Sequence, residues 1–293
     1  MKGLITVRDL GPDQLRAMIE EASLLRDMLD RHEEPDPALQ GRCVANLFFE
    51  PSTRTRLSFE LAAKRLGAHV LTLNPATSSA SKGESLRDTA LTIAAVGADV
   101  MVVRHLEDGV PQSVAEWTGL AVVNGGDGTH EHPTQALLDA VTLSRHYEGL
   151  EGLRVGVVGD ITHSRVAGSL LHVLPRLGMD VTLVAPTNWL PADTPHQTTT
   201  DFDAMIPELD VVYLLRVQTE RGGRITDSYV GNFQLDEPRL ARMRPDAIIL
   251  HPGPINRGVE IADEVAESSR SLITEQVRNG VPTRMAVLRA VGL

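Results

Sequence analysis

The chain has 293 residues, with 28 basic against 39 acidic side chains, a net charge of −11, and only 3% aromatic residues. That charge speaks against a nucleic-acid backbone as partner, and so few aromatics leave little to stack on single-stranded bases. The single cysteine, Cys43, excludes an intrachain disulfide and a cysteine-based zinc site.

No apolar run reaches the length of a membrane span, and the opening MKGLITVRDL lacks a signal-peptide core. A cytoplasmic protein with no membrane partner is expected. With 42% hydrophobic residues the chain can bury two cores.

Strand-like runs fall at 44–49, 70–73, 99–103 and 121–123, then at 154–158, 181–184, 210–215 and 247–250. Helical periodicity lies between them, at 53–66, 85–96, 133–147 and 165–177 among others. Such alternation predicts an α/β protein of two doubly wound domains, each a mainly parallel sheet with helices on both faces. The run Glu148-Gly149-Leu150-Glu151-Gly152 marks the boundary, with domains over 1–149 and 150–281. A last helical stretch from about Pro282 to the end, with no strand after it, is expected to pack back on the first domain. Residues 185–200, rich in Pro and Thr, read as a surface loop, and Cys43 reads as a small buried hydrophobe beside a strand.

The unusual polar residues gather where strands end. Ser52 to Thr55 follow the first strand, Arg104 the third, and His132 closes the loop after the fourth. In the second half Arg165, Arg216 and His251 hold the same position after three further strands. Ligands of open parallel sheets bind beyond the carboxyl ends of the strands, so these groups point to one cleft between the domains.

Each motif has an ordinary counterpart. Ser52 can cap a helix whose first-turn N–H groups and dipole favour an anion, with Arg54 adding a charged fork. Arg54 and Arg56 lie about 200° apart on that helix, so Arg56 reads as structural. A Ser cap with solvated arginines would look the same. His132 precedes Pro133 at a helix start, where an imidazole near arginines is expected to stay neutral and donate one hydrogen bond; a capping histidine is the plainer alternative.

Arg165, Arg216 and Gln218 suit planar recognition of carboxylates, whereas Arg221 and Arg224 read as solvated charges. Lys82 sits in the small-residue loop SSASKGES, where a surface lysine is the plainer reading. The VGVVGD run lacks the dinucleotide fingerprint, and neither a Walker loop nor a metal-ligand spacing is found.

Taken in order, Ser52-Thr53-Arg54-Thr55-Arg56, Lys82-Gly83-Glu84, Arg104-His105, His132-Pro133-Thr134-Gln135 and Arg216-Val217-Gln218 resemble the catalytic chains of the aspartate carbamoyltransferase family over nearly the whole length. Ornithine-type relatives carry Ser-Met-Gly and His-Cys-Leu-Pro motifs that this chain lacks; it has His251-Pro252-Gly253-Pro254 instead. The resemblance implies that 1–149 binds carbamoyl phosphate and 150–281 binds aspartate, for transfer of the carbamoyl group to L-aspartate in de novo pyrimidine synthesis.

It further implies that Ser52, Thr53, Arg54, Thr55 and Arg104 hold phosphate, and that Thr55, Arg104 and His132 donate to the carbonyl oxygen. Gln135 and the carbonyls of Pro252 and Gly253 would accept from the carbamoyl amino group. Lys82, Arg165, Arg216 and Gln218 would bind aspartate, with no metal and no cofactor. The family's assembly implies a homotrimer or a dimer of trimers, with Ser78 and Lys82 contributed by a neighbouring subunit.

Two positions depart from the best-known bacterial pattern. Gly253 replaces a Leu, a version that looks like members lacking a regulatory chain, some of which associate with dihydroorotase or an inactive relative of it. Val166 stands where a Thr often follows the carboxylate-binding Arg. An ornithine-type transferase, a non-catalytic scaffold and a nicotinamide-dependent dehydrogenase are the competing readings; fold by itself does not separate them.

Overall fold

The first sheet contains β1 (Gly3–Leu4), β2 (Cys43–Phe48), β3 (His69–Leu73), β4 (Val100–His105) and β5 (Ala121–Asp127), all parallel, in the order β1-β5-β4-β2-β3. The second contains β6 (Arg154–Val158), β7 (Asp180–Val184), β8 (Gln197–Thr199), β9 (Val211–Leu214) and β10 (Ile248–Leu250), also parallel, in the order β10-β9-β6-β7-β8. The computed structural model describes residues 1–73, 78, 82–219 and 222–292. Arg221, read above as a solvated charge, lies outside the described residues.

Helices connect the strands: α1 (Pro12–Asp30), α2 (Thr53–Arg65), α3 (Leu86–Val96), α4 (Val110–Thr118) and α5 (Pro133–His146), then α6 (Arg165–Arg176), α7 (Phe202–Met205), α8 (Asp227–Phe233), α9 (Glu237–Arg242), α10 (Asp263–Ala266) and α11 (Ile273–Gly292). The chain divides into two units, Met1–Val141 with Val277–Leu293, and Thr142–Gln276.

Every strand read from the sequence is present, and the parallel α/β class holds. The central strands explain why. β2 is buried from Val44 onward and β9 along its whole length, as expected for strands covered on both faces. Two strands escaped the sequence reading. β1 is only two residues long, and β8 lies inside the 185–200 segment that read as a loop. That segment also holds a 3-10 turn, Thr187–Trp189, whose Trp189 is buried.

The last helix begins at Ile273, well before Pro282, which sits inside it. Proline removes one helical hydrogen bond, but Met285, Val287 and Leu288 beyond it are fully buried, and that packing keeps the helix continuous. Cys43 is half-buried rather than enclosed; burial and then the charge of Asp99 push its thiol pKa up.

Strand order locates the functional ends. In the first sheet β2 is flanked by β3 on one side and β4 on the other, so successive crossovers leave it in opposite directions. The second sheet does the same at β6, flanked by β7 and β9. Crevices open beyond the carboxyl ends of strands at such reversals.

Gly156, in the middle of β6, has no room for a larger side chain: a Cβ there would lie 2.4 Å from Leu209 Cδ1. Gly156→Val is expected to lower the unfolding free energy by about 1–3 kcal/mol through overpacking, read as a fall in the urea midpoint. An unchanged midpoint would mean that Leu209 swings aside without cost.

Candidate active site

At the β2/β4 reversal the chain leaves Phe48 and enters α2 through Pro51 and Ser52. Ser52 takes the N-cap position with extended backbone, yet its side chain makes no capping hydrogen bond. The first-turn N–H groups are therefore left to whatever anion lies in front of them. Thr53 and Arg54 are exposed in that turn, while Thr55 is buried.

Arg104 is the second-last residue of β4, not the residue after it, because the strand continues past Val103 through an irregularity in its pairing with β5. Such bulges re-aim side chains. Arg104 Nε donates to Glu50 Oε2 at 3.2 Å and Nη1 to the Gly125 carbonyl at 3.3 Å. Its neighbour His105 packs against Phe49, and burial pulls its imidazole pKa below the ordinary histidine value, with Glu107 and Glu50 opposing.

His132 stands just before α5 and is 4% exposed; its Nε2 lies 3.4 Å from Thr55 Oγ1. The loop that delivers it is tied down by buried acids. Asp127 accepts from Asn124 Nδ2 at 2.8 Å and from the backbone N–H of Glu131 and Gly109. Glu131 accepts from Thr6 Oγ1 and from the N–H of Val7 at 2.9 Å, which fastens the N-terminal segment to this loop. Gln135, in the first turn of α5, donates Nε2 to Asp139 Oδ1 at 2.9 Å.

The second unit presents another group of polar side chains at the β6/β9 reversal. Arg165 opens α6 and is buried, behind an N-cap in which Ser164 accepts from the Ala167 N–H. Arg216 and Gln218 follow β9. Arg216 Nη2 donates to Gln218 Oε1 at 2.9 Å, and Gln218 Nε2 donates back to the Arg216 carbonyl at 3.3 Å. Asp160, at the end of β6, accepts the Gln218 N–H at 2.9 Å and lies 2.6 Å from His163 Nδ1.

Beyond β10, Gly253 has φ 63°, a left-handed backbone that favours glycine, and the Gly253–Pro254 bond is cis. His251 Nδ1 accepts from the Gly253 N–H at 2.9 Å, so its Nε2 carries the proton toward Glu260 Oε1, 3.0 Å away. Pro252 and Gly253 are half-buried, Ser78 is half-buried and Lys82 is exposed.

The sequence reading passed over Glu50, Asp127, Glu131, Asp139, Asp160 and Glu260. Several carried a signal: Glu50 and Glu131 adjoin the predicted motifs, and Asp139 is four residues from Gln135. Tyr229 is buried, with its phenol pKa raised first by burial and then by the charges of Glu260 and Asp160. An open cavity of about 790 Å³ in this unit, lined by Trp189, Arg224, Tyr229 and Phe233 among others, contains none of the predicted site residues. Among the described residues no group of three or more His, Cys, Asp or Glu could hold a metal, and no helix is long and apolar enough to cross a membrane.

In chemical terms the first unit offers an uncapped helix mouth with hydroxyl, guanidinium and imidazole groups, suited to a phosphate-bearing ligand with a polar carbonyl. The second offers arginine forks, one of them held by the Gln218 side chain, whose own backbone N–H is fixed by Asp160. Asp160→Ala is expected to speed hydrogen exchange at the Gln218 amide by about tenfold, the effect of losing one hydrogen bond of ordinary strength. Unchanged exchange would mean the loop is held by other contacts.

Known proteins resemble this chain in both parts. Residues 2–145 match the family described as aspartate/ornithine carbamoyltransferase, carbamoyl-P binding domain, and residues 151–291 match its Asp/Orn binding domain. The aspartate carbamoyltransferase catalytic subunit of Acidothermus cellulolyticus is 50% identical over 98% of this chain and 91% of its own length. Aspartate transcarbamoylase from Trypanosoma cruzi, solved with carbamoyl aspartate and phosphate, superposes with a TM-score of 0.92 at 31% identity, covering 99% of this chain and 95% of its own. The same enzyme solved with carbamoyl phosphate gives 0.91 at 30% identity, with coverage of 99% and 95%.

Proposed function

The chain belongs to the aspartate/ornithine carbamoyltransferase family, and on that footing we propose that it transfers the carbamoyl group of carbamoyl phosphate to the amino group of L-aspartate, a step of pyrimidine biosynthesis. The observation that carries this reading is the mouth of α2, where no side chain caps the helix and Thr55 Oγ1 meets His132 Nε2 at 3.4 Å.

Carbamoyl phosphate is already activated, so the chemistry needs positioning and charge stabilisation rather than an enzyme nucleophile. Ser52, Thr53, Arg54 and Thr55 hold the phosphate with Arg104, whose fork is steadied by Glu50. Thr55, Arg104 and His132 donate to the carbonyl oxygen as the amine attacks and negative charge grows on it. The new C–N bond forms as the bond from carbon to the phosphate oxygen breaks, and the amine proton leaves with the phosphate. Gln135, with the backbone carbonyls of Pro252 and Gly253, accepts from the carbamoyl amino group.

Lys82, Arg165, Arg216 and Gln218 take the two carboxylates of aspartate, because planar forks match carboxylate geometry. The proposal extends to a cytoplasmic homotrimer, alone or paired into a dimer of trimers, in which Ser78 and Lys82 serve the neighbouring subunit. It also admits a dihydroorotase-like partner, on the strength of the Pro252-Gly253-Pro254 version of that loop.

Purified protein is expected to form carbamoyl aspartate from carbamoyl phosphate and L-aspartate, and no citrulline from L-ornithine, by colorimetric assay of the ureido product. Turnover with ornithine alone would overturn the second-substrate assignment. Silence with both, persisting when a dihydroorotase is added, would favour a scaffold.

Arg54→Ala is expected to weaken use of carbamoyl phosphate at least about tenfold, as for loss of a charged hydrogen bond, with aspartate affinity changed far less. Equal losses would contradict its role. Mixing Arg54→Ala chains with Lys82→Ala chains is expected to restore part of the activity, and no recovery in verified mixed trimers would refute shared sites.

A further inference from the structure

The amide of Gln135 could present either its oxygen or its NH2 group outward, and its buried neighbour decides between them. Gln135 and Asp139 are four residues apart on α5 and so share one face of the helix. The 2.9 Å contact joins Gln135 Nε2 to Asp139 Oδ1. A carboxylate accepts and cannot donate, so the NH2 half of the amide must face Asp139 and the carbonyl oxygen must face away. Asp139 is fully buried and Gln135 is 8% exposed, which leaves little water to satisfy the reverse orientation.

A buried carboxylate needs a compensating charge. Arg284, on α11, is a cation whose titration feels the charge of Asp139. Its guanidinium lies 5.0 Å from the centre of the Phe59 ring on α2, and Nη1 donates to the Gly280 carbonyl at 3.1 Å. Burial first, and then the charge of Arg104, push the Arg284 pKa down to about 9, with the charge of Asp139 opposing both. At neutral pH Arg284 therefore remains a cation beside the anion. The C-terminal helix thus touches α2, which carries the phosphate motif, and brings a cation whose charge opposes that of the acid that orients Gln135.

Resting on the carbamoyl-transfer reading above, we propose that Asp139 is a positioning residue for donor specificity: it locks Gln135 so that only an oxygen acceptor faces the acyl group. The site thereby selects an acyl phosphate bearing an amino group over one bearing a methyl group. Asp139 acts wholly through Gln135 and does not touch the donor itself.

Asp139→Asn tests this with almost no change of shape. An amide opposite an amide can pair either way round, so Gln135 is free to turn its NH2 group outward, donor against donor. The full-length protein would be assayed with carbamoyl phosphate and L-aspartate, using acetyl phosphate and inorganic phosphate as competing inhibitors. The expected result is a fall of about tenfold in kcat/KM for carbamoyl phosphate, with both inhibition constants within about twofold of the wild type. A parallel loss of affinity for all three compounds, or an unchanged kcat/KM, would overturn the proposal.

Should the single variant fail to fold because Arg284 has lost its counter-charge, Asp139→Asn with Arg284→Met removes the stranded cation, and the same comparison is read. A wild-type protein that cannot use carbamoyl phosphate would overturn the proposed function. A wild type that uses it, beside a variant that keeps the wild-type preference, would overturn the role of Asp139 alone.

Discussion

Parallel strands must be joined by crossover helices, and where successive crossovers depart in opposite directions the helices separate beyond the strand ends. That geometric necessity places everything else. In the first sheet the reversal falls at β2, between β3 and β4, where Ser52 to Thr55 follow β2 and Arg104 lies at the carboxyl end of β4. In the second it falls at β6, and the residues leaving β6 and β9 are Asp160, Arg165, Arg216 and Gln218. The proposed donor and acceptor residues occupy equivalent places in two sheets built on the same plan.

A chain with net charge −11 that handles anions looks contradictory until the acids near the site are followed. Glu50 holds Arg104, Asp127 and Glu131 tie down the loop before His132, and Asp139 fixes the Gln135 amide. Each of these carboxylates is committed to a donor that the fold needs in one orientation. Local hydrogen-bond direction, set by short distances, governs the site more than the long-range field of the whole protein. The same logic explains why Ser52 is left uncapped: a side chain spent on its own helix would compete with the ligand for the first-turn N–H groups.

The sheets were legible because buried parallel strands read as apolar runs: Val211 to Leu214 and Val100 to Val103 carry no polar residue except the tyrosine hydroxyl. The motif residues were legible because cationic and hydroxyl groups directly after such runs are conspicuous. What stayed hidden has a common physical cause. β1 and β8 are too short to show a period and exist only through their pairing with β5 and β7. Pro282 reads locally as a helix start, and only the burial of the residues beyond it makes the helix continuous. Glu131 and Asp139 stand close to the predicted motifs, but what Glu131 holds, Thr6 and Val7, lies far away in the linear order and is not revealed by it.

The acceptor half of the proposed site follows from the same economy of orientation. Gln218 uses both ends of its amide on Arg216, and its backbone N–H is held by Asp160, so the two side chains of Arg216-Val217-Gln218 are tied to one another. Val217 between them is fully buried and anchors the piece to the second unit. These groups, on the proposed reading, meet a carboxylate substrate, and a mismatched one would leave a desolvated guanidinium or amide without its hydrogen bond. On the proposed reading the first unit holds a phosphate-bearing donor that the whole family shares. On that same reading, the acidic second substrate is met by donors already tied to one another at Arg216 and Gln218, an arrangement that a basic side chain would leave unpaired.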